Sequence, residues 1–331
     1  MRTGVIGAGG LGIHHVRILR DMQGPDFAGF FESRADRAQH VATELGVRAH
    51  PTLDSLLDEV DAVTIVVPTP GHYDVAKHVL ARGIHAMIEK PLAATLEQAD
   101  EMLRLAREHG AILQTGHVER FNRAIRAALP YVEAPRFIES DRLSPFNPRG
   151  SDVAVVLDLM IHDIDLVHTL VGGKASSVAA VGVPVLTPFV DIANARLTFD
   201  SGAVANITAS RVSRERMRKI RIFQQSGYIS LDLAAGNGEF YRMREGLDLA
   251  SMSAAPIALE QFVERIPLEA EEGEPLRLEF ESFLAAVRGE APVAVSGEEG
   301  RDALSVALQI VGDIERTLPA LAGRSPLGAR A

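Results

Sequence analysis

Along the first third of the chain, apolar residues gather into short, nearly unbroken runs separated by stretches with helical spacing. RTGVI (2–6), FAGFF (27–31), DAVTIVV (61–67), HAMI (85–88) and AILQT (111–115) are the runs. Between them, residues 10–22, 34–45, 72–83 and 96–110 repeat their apolar positions every three or four residues. Strands that are apolar on both faces and alternate with amphipathic helices predict a parallel sheet covered on both sides. After about residue 117 the pattern changes. From 176 to 232 the chain alternates at period two, in ARLTFD, AVANITAS, KIRIFQQ and YISLDL, around turns at FDSGA and QSGY. That predicts longer antiparallel strands with one covered face. Amphipathic helices are expected at 275–289 and 298–318, then a frayed end at 322–331. The predicted class is α/β: a doubly wound parallel sheet in a domain at 1–117, then an α/β domain at 118–331 with a large open, mostly antiparallel sheet.

Composition narrows the function. The 331 residues are 47% hydrophobic and 24% charged, ordinary for a globular protein with a sizeable core. No apolar run approaches the roughly 18–20 residues a membrane span needs, and no basic, then apolar leader precedes the first strand. A cytoplasmic protein is expected. The net charge of −10 argues against a nucleic-acid surface. With no cysteine, disulfides and thiolate chemistry are excluded.

Chemistry enters at the first strand-to-helix turn. Gly7-x-Gly9-x-x-Gly12, with Gly10 and Leu11 inside it, lets the backbone approach a pyrophosphate that sits on the helix N-terminus. Glu32 ends the second strand 20 residues past Gly12, where an acid accepts hydrogen bonds from ribose hydroxyls. This is the Rossmann dinucleotide fingerprint in its proper context. Glu32 repels a 2′-phosphate and so favours NAD. Arg34 and Arg37 keep NADP possible, either as clamps on that phosphate or simply as solvated helix-surface residues. His14 and His15 follow in the first helical turn. Glu89-Lys90-Pro91 follows a strand, and in such sheets ligands bind beyond the strands' carboxyl ends, so Lys90 is expected at the cofactor.

A fourth stretch, VVLDLMIHDIDL (155–166), sets acids and a histidine in an apolar run. As a regular helix it would place Asp158, His162 and Asp165 on one stripe. A histidine there suits a general base, because its pKa lies close to working pH. Asp158 would orient it or grip a second hydroxyl, and Asp165 reads as structural, paired with a base. The rival is a metal held by the stripe, disfavoured because such sites usually draw on several histidines or cysteines. No metal is expected.

Together GVIGAGGLGIHH, VVPTPGHY, EKPLA, DLMIHDIDL and LRLEFESFLAAVRG resemble the glucose–fructose oxidoreductase/inositol dehydrogenase (Gfo/Idh/MocA) family across essentially the whole chain. The resemblance implies NAD(P)-dependent oxidation or reduction of sugars and polyols. It implies that Lys90 and His162 flank the reacting carbon, with Asp158 completing the catalytic set, and that Pro68, Thr69 and Glu89 join the cofactor contacts. Two departures stand out. Met160 and Ile161 replace the glycine that often precedes the histidine. TPGH is shorter than the usual T-P-x-x-H, so His72 is not counted as a cofactor contact.

GHVERFNRA (116–124) and 142–166 are similar to the branch that oxidises the 3-hydroxyl of UDP-N-acetylglucosamine. A diphosphate needs cations, and Arg120, Arg142, Arg149 and the basic stretch 210–223 supply them; Arg120 and Arg211 are the expected ligands, whereas most of the stretch reads equally as surface ion pairs. A free polyol or hexose dehydrogenase and a non-catalytic dinucleotide sensor are the alternatives. An open sheet face usually finds a partner, so a homo-oligomer, dimer or tetramer, is expected.

Overall fold

The computed structural model describes residues 1–148, 150, 153–244 and 262–318. Arg149 and the end from 322, both singled out above, lie outside the described residues. By internal contacts the chain divides into two compact units, Met1–Val118 with Gly273–Ser305, and Glu119–Glu272 with Val306–Ala331.

The first unit alternates β1 (Arg2–Ile6), α1 (Gly12–Asp21), β2 (Asp26–Phe31), α2 (Ala35–Leu45), α3 (Leu53–Leu57), β3 (Ala62–Ile65), α4 (His72–Leu80), β4 (His85–Glu89), α5 (Leu96–Glu108) and β5 (Leu113–Gly116). The strands form one parallel sheet in the order β2-β1-β3-β4-β5. All four residues of β3 are buried, as a central strand covered on both faces requires. Local sequence sets the helix ends: Thr52 and Ser55 form a capping box on α3, and Thr95 caps α5 through the Gln98 N–H. The chain leaves β1 toward β2 on one side and returns to β3 on the other. In parallel sheets such a reversal marks the strands' carboxyl ends as the place where ligands bind.

The second unit begins with a 3-10 turn at Val118–Phe121 and α6 (Arg123–Ala128), capped by the Asn122 side chain at the Ala124 N–H, 3.0 Å. Then come β6 (Phe137–Leu143), a π-helical turn at Val156–Met160, and α7 (Ile161–Val171). The strands β7 (Ala175–Val183), β8 (Ile192–Phe199), β9 (Val204–Ser210), β10 (Met217–Gln224), β11 (Gly227–Asp232), β12 (Asn237–Met243) and β13 (Val263–Leu268) complete it. The sheet order is β13-β12-β11-β10-β6-β9-β8-β7, antiparallel throughout except where β6 lies parallel to β9. Alternation puts Ile138, Ile207, Ile220 and Ile222 on the face covered by α7. On the other face Arg221 of β10 pairs with Glu139 of β6 at 2.5 Å.

The last helices, α8 (Pro275–Val287) and α9 (Gly297–Thr317), form where their spacing predicts. They fall on both sides of the contact-based division. Residues 273–305 group with the first unit, because Phe280, Phe283 and Leu284 of α8 join Val16, Leu19, Phe30 and Val41 in one buried apolar cluster. Among the described residues, no helix is long and apolar enough to cross a membrane.

Candidate active site

The glycine turn after β1 is built by close approach. Gly7 has φ +93°, and a Cβ on it would lie 2.8 Å from the Val66 carbonyl oxygen beyond β3. A Cβ on Gly12 would come within 2.0 Å of the Gly7 carbonyl oxygen, so α1 starts directly against the turn. Gly9 is different: nothing lies within 4 Å of the position its Cβ would take. No side chain caps α1 and its first turn carries no acid. A turn that leaves its middle glycine open, at an uncapped helix N-terminus, fits a dinucleotide pyrophosphate. Gly10 is exposed there and Leu11 half-buried.

Two charged side chains brace this turn. Glu32 accepts from the Ala8 N–H at 3.0 Å through one oxygen and from the Arg34 N–H at 3.1 Å through the other. Burial alone would push the Glu32 carboxyl up; these backbone N–H groups and the Arg34 guanidinium outweigh it and hold it below its ordinary value. It therefore stands ionised at the end of β2 with lone pairs left to accept hydroxyls. Arg37 donates to the Ala8 carbonyl at 2.8 Å and to the Gly9 carbonyl at 3.3 Å. That role was not foreseen. Arg34 remains the more exposed cation, with 63% of its side chain accessible.

The exits of β3 and β4 are strapped together. Pro68 is exposed and Thr69 half-buried in the loop before α4. His72 is buried, with Nδ1 2.9 Å from the Pro91 carbonyl oxygen and Nε2 2.9 Å from that of Val67. Burial pushes this imidazole's pKa down, more than the two carbonyls and Glu89 restore. Lys90, half-buried, follows Glu89, whose carboxylate accepts the Lys90 N–H at 3.2 Å and lies 3.2 Å from Nε2 of His15. His14, by contrast, is exposed.

In the second unit the helix that carries the expected stripe begins irregularly. The turn at Val156–Met160, which carries Asp158, is π-helical and has more residues per turn than the α-helix α7 that carries His162 and Asp165. Asp158 and His162 are half-buried, while Asp163 and Asp165 are 1% exposed. Each buried acid has its arginine. Arg120 donates Nε to Asp165 at 2.8 Å, with a second contact of 2.5 Å. Arg142 donates Nε to Asp163 at 2.6 Å and an NH to Glu119 at 2.7 Å, and Ser140 donates to Asp163 at 2.8 Å. Burial works against the Arg142 charge, but Asp163 and Glu119 overcome it and raise its pKa. Arg218 reaches the same Glu119 at 3.2 Å.

The two arginines expected to bind substrate phosphate are thus committed within their own unit. Arg211 lies 3.1 Å from Asp191 and donates to the carbonyls of Gly150, Val153 and Val190. It is 3% exposed. Its work is to hold a loop, and that loop matters: a Cβ on Gly150 would lie 2.7 Å from the Asp158 carboxylate. Glu119 and Asp163 escaped the sequence reading. Their signal was available, since an acid inside an apolar strand or helix must find a buried base. Among the described residues, no three histidine or carboxylate side chains group as ligands for one metal ion.

Comparison with known proteins matches residues 1–117 to a model described as an oxidoreductase family with an NAD-binding Rossmann fold, and 124–230 to a GFO/IDH/MocA C-terminal domain. UDP-N-acetylglucosamine 3-dehydrogenase of Acidithiobacillus ferrooxidans is 40% identical over 323 residues, covering 96% of this chain and 98% of that protein. Its solved structure superposes with a TM-score of 0.87 over 96% of this chain and 98% of its own. Myo-inositol 2-dehydrogenase of Thermotoga maritima is 28% identical over 92% of this chain and 93% of its own length. With its glycine turn, its Glu-Lys-Pro strand end and this full-length similarity, the chain belongs to the Gfo/Idh/MocA family of NAD-binding oxidoreductases.

Proposed function

We propose that this protein oxidises the 3-hydroxyl of a UDP-N-acetylhexosamine, UDP-N-acetylglucosamine first among them, with NAD as the oxidant. The observation that carries this reading is the 40% identity to the Acidithiobacillus enzyme across both units rather than in the nucleotide-binding half alone. Gly7, Gly9, Gly10, Leu11 and Gly12 would hold the pyrophosphate, and Glu32 the adenosine ribose. Pro68, Thr69 and the Glu89 backbone line the strand exits toward the nicotinamide end. When bound, NAD supplies the hydride acceptor. His162 takes the hydroxyl proton as the carbon gives up its hydride and the C–O bond becomes a carbonyl. Lys90 donates to that oxygen and stabilises the alkoxide charge as it develops. Asp158 orients the imidazole or holds a neighbouring hydroxyl. Arg120 and Arg211 are left out of the substrate set, because their donors serve Asp165 and Asp191. A cytoplasmic homo-oligomer goes with this reading.

The deciding experiment offers NAD with UDP-N-acetylglucosamine, UDP-N-acetylgalactosamine, UDP-glucose, glucose and the inositols, and follows NADH absorbance. Turnover of a UDP-N-acetylhexosamine, at a kcat/KM at least tenfold above any free sugar, is expected. Turnover of inositol with none on UDP-sugars would replace this reading with a polyol dehydrogenase. NAD binding without turnover of any sugar would favour a sensor.

A further inference from the structure

Glu89 is an acid at the end of a buried central strand, with 11% of its side chain exposed. Its oxygens are divided. One accepts the backbone N–H of Lys90 at 3.2 Å, and the other lies 3.2 Å from Nε2 of His15 in α1. His15 is completely buried and held on its other sides. Nδ1 lies 3.1 Å from Oγ1 of Thr64 in β3, and Phe280 of α8 meets the ring edge-on at 5.3 Å. A chain of polar contacts therefore runs from β3 through α1 to β4 and reaches Lys90. A buried carboxylate deprived of its side-chain partner either takes up a proton or turns away.

We propose that His15 is a positioning residue for the reaction: by gripping the Glu89 carboxylate it fixes the backbone at Lys90 and keeps an anion beside that lysine's ammonium. The inference rests on the role given to Lys90 under the proposed function. Burial pushes the Glu89 carboxyl up, and His15 with Lys90 more than reverses it, so the grip operates on the ionised form.

Two polar replacements separate this from a merely structural role. His15→Asn reaches Thr64 but falls short of Glu89, whereas the longer amide of His15→Gln reaches Glu89. In the full-length protein, His15→Asn should lower kcat about 10–100-fold, as small misplacements of a catalytic group do. The NAD dissociation constant, by calorimetry, should change less than about threefold, and His15→Gln should recover most of the loss. A second measurement needs no sugar at all: acetylation of Lys90 by acetic anhydride, read by peptide mass spectrometry. It should run at least about threefold faster in His15→Asn and in Glu89→Gln, since loss of a neighbouring anion favours the neutral, reactive amine. Adding His15→Asn to Glu89→Gln should then change little, the mark of two residues acting as one unit. Equal impairment of the Asn and Gln variants, unaltered Lys90 acetylation, or full additivity would each overturn the proposal. If the wild type oxidises none of the sugars offered, the functional reading fails while the acetylation rates still decide this one.

Discussion

Glu32 concentrates the question of cofactor choice in one carboxylate. Its two oxygens are already oriented by the Ala8 and Arg34 N–H groups, so it cannot easily turn away from an incoming 2′-phosphate. Like charges at that range repel, and NAD should bind about tenfold or more tightly than NADP in calorimetric titrations. Equal affinity would mean that the exposed Arg34 swings from Glu32 to the phosphate. His162 is tested by His162→Asn, which keeps a polar side chain and removes the titratable base. A general base contributes about 10²–10⁴-fold, so kcat should fall by that much with NAD affinity unchanged. Oxidation by the wild type should rise with pH through the range where an imidazole loses its proton. Near-normal kcat in His162→Asn would place the base elsewhere.

Elements were legible in proportion to how directly their apolar spacing reports burial. The five parallel strands, α1, α2, α4 and α5 between them, and α8 and α9 stand where the pattern predicts them, whereas the short α3 was not predicted. β6 was missed for a physical reason. Its inward positions read Ile138, Ser140, Arg142, so two of three covered sites are polar, and only the Asp163 and Glu119 partners make that burial tolerable. A period-two reading has no access to partners 21 and 23 residues away. The same limit affected α7. Its apolar run announced a buried helix, but nothing in the residue order announces a π-helical turn, which depends on one extra residue fitted between packed neighbours. The glycine turn, by contrast, is local chemistry, and its glycines could be picked out from spacing alone. Arg120, Arg142 and Arg211 looked like phosphate ligands because sequence shows a cation without showing the anion that folding brings to it.

At the scale of the whole molecule, 44 acidic and 34 basic residues make stability a function of pH, and the direction follows from which groups folding perturbs. Glu32, Glu89, Glu119 and Asp191 all have carboxyls held below their ordinary values, burial opposing the shift and hydrogen bonds or neighbouring cations winning. The folded state then binds fewer protons than the unfolded one near pH 4. Their stabilisation is complete above the unfolded carboxylate range and is lost as pH falls through the folded values. His72 acts in a higher window. Burial depresses its pKa, so below about pH 6.5 the unfolded chain takes up a proton that the folded chain refuses, and stability declines there too. One proton contributes at most about 1.4 kcal/mol per pH unit. Calorimetric melting temperatures should be level from about pH 7 to 8, slope gently downward below 6.5, and drop steeply below 4. His72→Gln should reduce the gentle slope, leaving the part due to His85, which burial also depresses, and should leave the steep one. The outcome also settles what the two carbonyls around His72 receive. A neutral ring has one N–H and can donate to Val67 or to Pro91, whereas an imidazolium donates to both. A melting temperature that holds steady or rises between pH 6.5 and 5 would mean that the folded protein keeps the second proton, with the strap between the β3 and β4 exits charged.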